Sequence, residues 1–86
     1  MSDQAIFQVE DVFSIIGLGV IISGRLTDGI AQKGMKGTIN GKQSEITAIE
    51  SHNQSIEKLT VGVPAGLSVS KVEKSDIQVG SSYSFK

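Results

Sequence analysis

The sequence predicts an all-β domain, either a small closed barrel or a sandwich. Three observations carry this. Apolar residues alternate in short runs, with turn signals about every eight residues. Ten glycines are available for those turns. Aromatic residues are scarce, only Phe7, Phe13, Tyr83 and Phe85, so β-branched aliphatic side chains must build the core, and these favour strands.

The elements follow in chain order. Residues 6–15, IFQVEDVFSI, place Phe7, Val9, Phe13 and Ile15 on one parity. That predicts a strand burying all four, with Asp11 at a bulge or at the rim. Gly17-Leu18-Gly19 predicts a hairpin turn. Residues 20–26 read as the partner strand, with Ile22, Gly24 and Leu26 on one face and Ile21, Ser23 and Arg25 on the other. TDG at 27–29 and KG at 33–34 are further turn signals. Residues 35–41 read as a strand ending in an Asn40-Gly41 turn, with 44–51 returning from it. Ile46 and Ile49 are three apart, which predicts a bulge in that return strand. SIEKLT, 55–60, is ambiguous between strand and helix, and too short for an independent helix. Residues 61–66 form a loop around Pro64, 67–72 alternate as a strand, 73–80 form a polar connection anchored by Ile77, and 81–85 close the domain.

At 86 residues the chain is expected to be one domain, 1–86, with 1–5 as a flexible N-terminal tail. The opening Met reads as a native start, and MSDQA has no apolar core of a signal peptide. No apolar run is long enough to cross a bilayer as a helix. With no cysteine there is neither a disulfide framework nor a thiolate metal site. The expected compartment is the cytoplasm. Eight basic residues against nine acidic ones give no broad positive field, which argues against a general nucleic-acid-coating protein.

The search for reaction chemistry is negative. GLGVIISGR lacks the Lys-Ser/Thr of a phosphate loop and opens no helix. Ile22 stands where a dinucleotide fingerprint needs its third glycine. His52, the single histidine, has Glu50 and Asn53 beside it but no second imidazole or thiol, so it reads as a surface residue at a hairpin end. Glu10 and Asp11 are expected on opposite faces of one strand, where two carboxylates cannot converge on one substrate. Arg25 reads as an outward residue pairing with a carboxylate. The expectation is no enzyme, no catalytic residue, no metal and no cofactor.

One stretch carries a resemblance. VEDVFSIIGLGVIISGRLTDGIAQKGMKGTI resembles the start of domain 2 of translational GTPases of the elongation factor Tu family: a strand reading EDVFSI, Gly-x-Gly, an apolar pair, Ser/Thr-Gly-Arg, a turn, and G-I-x-x-G. ITAIESHNQSIEKL and AGLSVSKVEKSDIQVG resemble later runs of the same domain. The resemblance covers roughly 6–85. It implies a closed antiparallel β-barrel of six to seven strands, and it makes Gly17-Leu18-Gly19 a strand turn rather than a nucleotide loop. The nucleotide of that family belongs to a separate preceding GTPase domain, so the chain is expected to be a free-standing second-domain barrel that binds no nucleotide.

In tRNA-delivering members this barrel helps hold the aminoacylated end of tRNA; in others it contacts the ribosome or neighbouring domains. Carried over residue by residue, the tRNA-end site becomes Glu10, Asp11, Ser23 and Glu50. Leu18 and Asn53 stand where tRNA carriers have Arg, and Gly62-Val63-Pro64 replaces an acidic loop. The first expectation is therefore a binding module for a protein partner or for self-association, with Ile16, Leu18, Val20 and Ile21 as its contact patch. The alternative is RNA, ribosome or aminoacyl-tRNA-end binding through the four polar positions. No membrane role is expected.

Overall fold

Nine strands follow one another with no α-helix between them in the computed structural model, which describes residues 4–17 and 19–86. They are β1 (Ala5–Ile15), β2 (Gly19–Asp28), β3 (Ala31–Gln32), β4 (Lys36–Ile39), β5 (Lys42–Ser51), β6 (Gln54–Ile56), β7 (Lys58–Leu59), β8 (Ala65–Val69) and β9 (Ser82–Phe85). One 3-10 turn spans Lys74–Asp76. The main sheet runs β4-β5-β8-β2-β1-β9, with β6 added to β5; β3 and β7 form a separate pair. All strand pairs are antiparallel. The sheet curls until its edges meet. The Lys36 N–H donates to the Lys86 carbonyl at 2.8 Å, and the Lys86 N–H donates back to the Lys36 carbonyl at 2.8 Å. Six strands thus form a nearly closed antiparallel barrel, which removes the exposed edges an open sheet would carry.

The core is aliphatic, as the composition requires. Ile22, Leu26, Ile39, Ile46, Ile49, Leu59 and Leu67 are fully buried beside Phe7 and Phe85. One inward row shows how it is built: Ile49, Leu67, Ile22 and Val12 lie side by side across β5, β8, β2 and β1. Each such side chain contributes about 1.5–3 kcal/mol by leaving water.

Asn40 and Gly41 both have positive φ, 50° and 78°, as the two-residue turn between Ile39 and Lys42 requires. The expected bulge in β5 lies between Ile46 and Ala48. The ambiguous SIEKLT segment is strand, shared between β6 and β7, because β5 and β3 supply backbone partners that a lone stretch lacks. Ala65 and Gly66 begin β8 rather than ending a loop. Ala5 is buried in β1 opposite Phe85, so it is no part of a flexible tail.

The largest departure lies in β1. The register slips between Val9 and Asp11, so Glu10 is the extra residue of a bulge. A bulge reverses the parity of everything after it. Val12 therefore takes the inward place, while Phe13 and Ile15 are 46% and 42% exposed. The expectation that these two sit in the core is overturned. Gly24 makes room for this bend: it faces Val9, and a Cβ there would run into the backbone carbonyl of Gln8 and lie 3.2 Å from the Glu10 nitrogen.

Candidate binding face

The bulge sets the outer face of the β5-β8-β2-β1 sheet. Two outward rows cross it. The first is Glu50, Gly66, Ser23 and Asp11; the second is Ala48, Ser68, Ile21 and Phe13. Between them runs a groove of about 250 Å³, lined by Ile21, Ala48, Glu50, Ser55, Gly66 and Ser68. Ser55 reaches it from β6, where it is the partner of Glu50. Gly66 keeps the groove open, since a Cβ there would press to 3.3 Å on the Ile21 side chain.

Three of the four polar positions, Asp11, Ser23 and Glu50, share the first row. Glu10 stands apart, because its carboxylate accepts from Arg25 Nε at 3.2 Å. Glu10 and Asp11 do not divide between two faces as expected. Both are exposed, since the bulge turns the intervening backbone. The Asp11 carboxylate accepts the Val12 N–H at 2.8 Å and steadies the end of the bulge. His52 is exposed in the turn after β5, with φ 52°.

The contact patch expected around the first hairpin divides. Ile21 is half-buried on the outer face and Ile16 is fully exposed. Val20 is 3% exposed: it faces inward between Val69 and Ser14 and belongs to the core. Leu18 lies outside the described residues. In place of Val20 the structure adds Phe13 and Ile15, so an apolar strip runs over the face beside the acidic row. The sequence held one signal of this. Asp11 broke the inward parity, and a bulge there implies that Phe13 and Ile15 turn outward.

A second polar cluster lies away from this face. The Asp76 carboxylate accepts from Asn40 Nδ2, Lys42 Nζ and the Glu73 N–H, each at 2.8 Å. The first two tie the 3-10 turn to the β4–β5 hairpin, and the third caps the turn itself. The Glu73 N–H, then Lys42 and Asn40, pull the Asp76 pKa down to about 2. The hydrogen bond that Lys42 donates to Asp76 in turn raises that of Lys42. Sequence reading missed this cluster, because its members are 34 and 36 residues apart. Among the described residues no group of three or more His, Cys, Asp or Glu could hold a metal ion. No described helix is long and apolar enough to cross a membrane.

Residues 19–83 match the family described as Elongation factor Tu domain 2. Elongation factor 1-alpha of Methanoculleus marisnigri is 38% identical over 74 residues, and that of Sulfurisphaera tokodaii 39%. Each match takes in 84% of this chain and 17% of the relative's length. Among solved structures, translation elongation factor SelB of Methanococcus maripaludis superposes with a TM-score of 0.88 at 18% identity, over all of this chain and 19% of that one. A bacterial selenocysteine-specific elongation factor, EF-Sec, gives 0.83 at 19% identity, over 94% of this chain and 14% of that one. The last two likenesses speak to the fold.

Proposed function

The chain belongs to the elongation factor Tu domain 2 family, and we propose that it is a non-catalytic binding barrel that engages a protein partner through the outer face of β5-β8-β2-β1. The observation that carries this is the apolar strip. Phe13, Ile15 and Ile16 stand exposed beside Ile21. Contiguous apolar surface next to a groove marks an interaction site more often than chance exposure. Aromatic side chains, Phe among them, are enriched in the buried core of protein interfaces. Among the described residues no hydroxyl of this face is hydrogen-bonded to a base, an arrangement that suits binding better than catalysis. The cytoplasm is the compartment that fits a relative of translation factors.

A second reading rests on the other row. Asp11, Ser23 and Glu50 present hydrogen-bond acceptors along the first row, Glu50 at the groove itself, and Arg25, on the same strand as Ser23, is paired with Glu10. Carboxylates accept from ribose hydroxyls and base amino groups but repel phosphate. A terminal nucleoside of RNA suits this row better than a phosphate backbone does. Its binding would fall only weakly with salt.

One experiment separates the two. The tagged chain is used to capture partners from native lysate, with and without RNase, beside a Phe13→Ser/Ile16→Ser variant and an Asp11→Ala/Glu50→Ala variant. Capture that survives RNase and is lost with Phe13→Ser/Ile16→Ser is the expected result. Capture abolished by RNase and by Asp11→Ala/Glu50→Ala would replace the protein reading with the RNA one.

A further inference from the structure

We propose that Asn40–Gly41 is a self-modifying site, at which succinimide formation is restrained by the Asp76 carboxylate and, once complete, undoes the cluster that Asp76 organises. Both residues are exposed at the tip of the β4–β5 hairpin. The residue after Asn40 has no side chain to shield its backbone nitrogen. Nothing lies within 4 Å of where a Gly41 Cβ would stand, so attack and hydrolysis are sterically open there. The two-residue turn pairs Ile39 with Lys42. Among the described residues, the Gly41 N–H donates to no carbonyl.

The chemistry needs only water. Hydroxide removes the Gly41 amide proton, and the nitrogen attacks the Asn40 side-chain carbonyl carbon, Cγ. The new N–Cγ bond closes a five-membered imide; Nδ2 takes a proton from water, which regenerates the hydroxide, the Cγ–Nδ2 bond breaks, and ammonia leaves. Water then opens the imide. Addition at Cγ gives aspartate, and addition at the backbone carbonyl gives isoaspartate, in which the chain runs through the side-chain carbon. No electrons are exchanged with any other species.

Asp76 opposes the first step. Its Oδ1 accepts the Asn40 Nδ2–H at 2.8 Å, which ties the amide to the 3-10 turn and limits its rotation towards the Gly41 nitrogen. The side chain must leave that bond to react. After reaction the donor is gone and a new carboxylate faces Asp76, so an attraction becomes a repulsion. Isoaspartate would add a further backbone atom to a turn whose geometry admits two residues only. Of the two side chains of the hairpin that bond Asp76, Lys42 would then be the one left.

The test is mass spectrometry of the intact folded chain during incubation in mildly alkaline buffer, with isoaspartate located by peptide mapping. The chain unfolded in urea serves as the unrestrained reference. Folded parent protein should gain the mass of deamidation at Asn40 slowly, and the modified fraction should melt lower. Asp76→Ala should react at least about tenfold faster than the parent, because it frees the Asn40 amide from a hydrogen bond to a charged group; tenfold corresponds to about 1.4 kcal/mol. Lys42→Met removes the ion pair but keeps the Asn40 bond, so its rate should stay near the parent's. Equal acceleration in Asp76→Ala and Lys42→Met would overturn the restraint, since general loosening would then explain both. Failure of the folded parent to react after the urea reference has gone to completion would overturn the site itself.

Discussion

Asp76 stabilises the fold through three donors that converge on one carboxylate, and its titration gives a signed prediction. Its folded pKa of about 2 lies below the ordinary 3.8. A depressed carboxyl contributes stability above its unfolded pKa and loses it as pH falls through the folded value. The melting temperature of Asp76→Asn should therefore lie below the parent's at neutral pH. The gap should close as pH drops from about 4 to about 2, where the parent carboxyl becomes neutral as well. Thermal melts across that range check it; a gap that persists at the acid end would mean packing, not charge, is lost. Lys42 has the opposite sign. Its raised pKa gives stability that is present at neutral pH and lost as pH rises beyond the ordinary lysine value. Arg25 and Glu10 form the other ion pair among the described residues. Both are exposed, and such pairs stabilise little.

At the scale of the element, the bulge in β1 decides which residues function and which pack. Without Glu10 as an extra residue, Phe13 and Ile15 would continue the inward parity of Phe7 and Val9. With it, Val12 takes that place beside Ile22. This predicts an inverted cost for two neighbouring substitutions. Phe13→Ser, on an outward position, should change stability by no more than about 0.5 kcal/mol. Val12→Ser should cost about 2–3 kcal/mol, because it buries a hydroxyl where a methyl pair packed. Urea denaturation of both variants measures the difference, and the reverse order would mean the bulge lies elsewhere. The second bulge, in β5, was legible because Ile46 and Ile49 are both apolar at an odd spacing. The first was half-legible. Asp11 broke the parity, but the apolar residues after it hid the consequence, since Phe and Ile suit either face of a half-buried strand.

At the scale of the whole molecule, the barrel depends on its last strand. β9 pairs with β1 and meets β4 through Lys36 and Lys86, so Phe85, fully buried, seals the sheet. Phe85→Ala should cost about 3–5 kcal/mol, a large share of what a domain this small can have. Equilibrium unfolding would show it as a shifted midpoint, and a shift of less than about 1 kcal/mol would mean the barrel closes without that ring. The sequence by itself determined the long strands β1, β2 and β5 and the Asn40-Gly41 hairpin. It also determined the aliphatic core and the kinship, through motifs that match over residues 19–83. These rest on contacts between near neighbours or on alternation within one strand, which local order records. The tertiary structure alone decided the inward place of Val20, the outward turn of Phe13 and Ile15, the acidic row of Asp11, Ser23 and Glu50, and the cluster around Asp76. Each of these depends on which strand lies alongside and in what register. Register is fixed by the best joint burial of all strands in the closed barrel, a property no single segment carries.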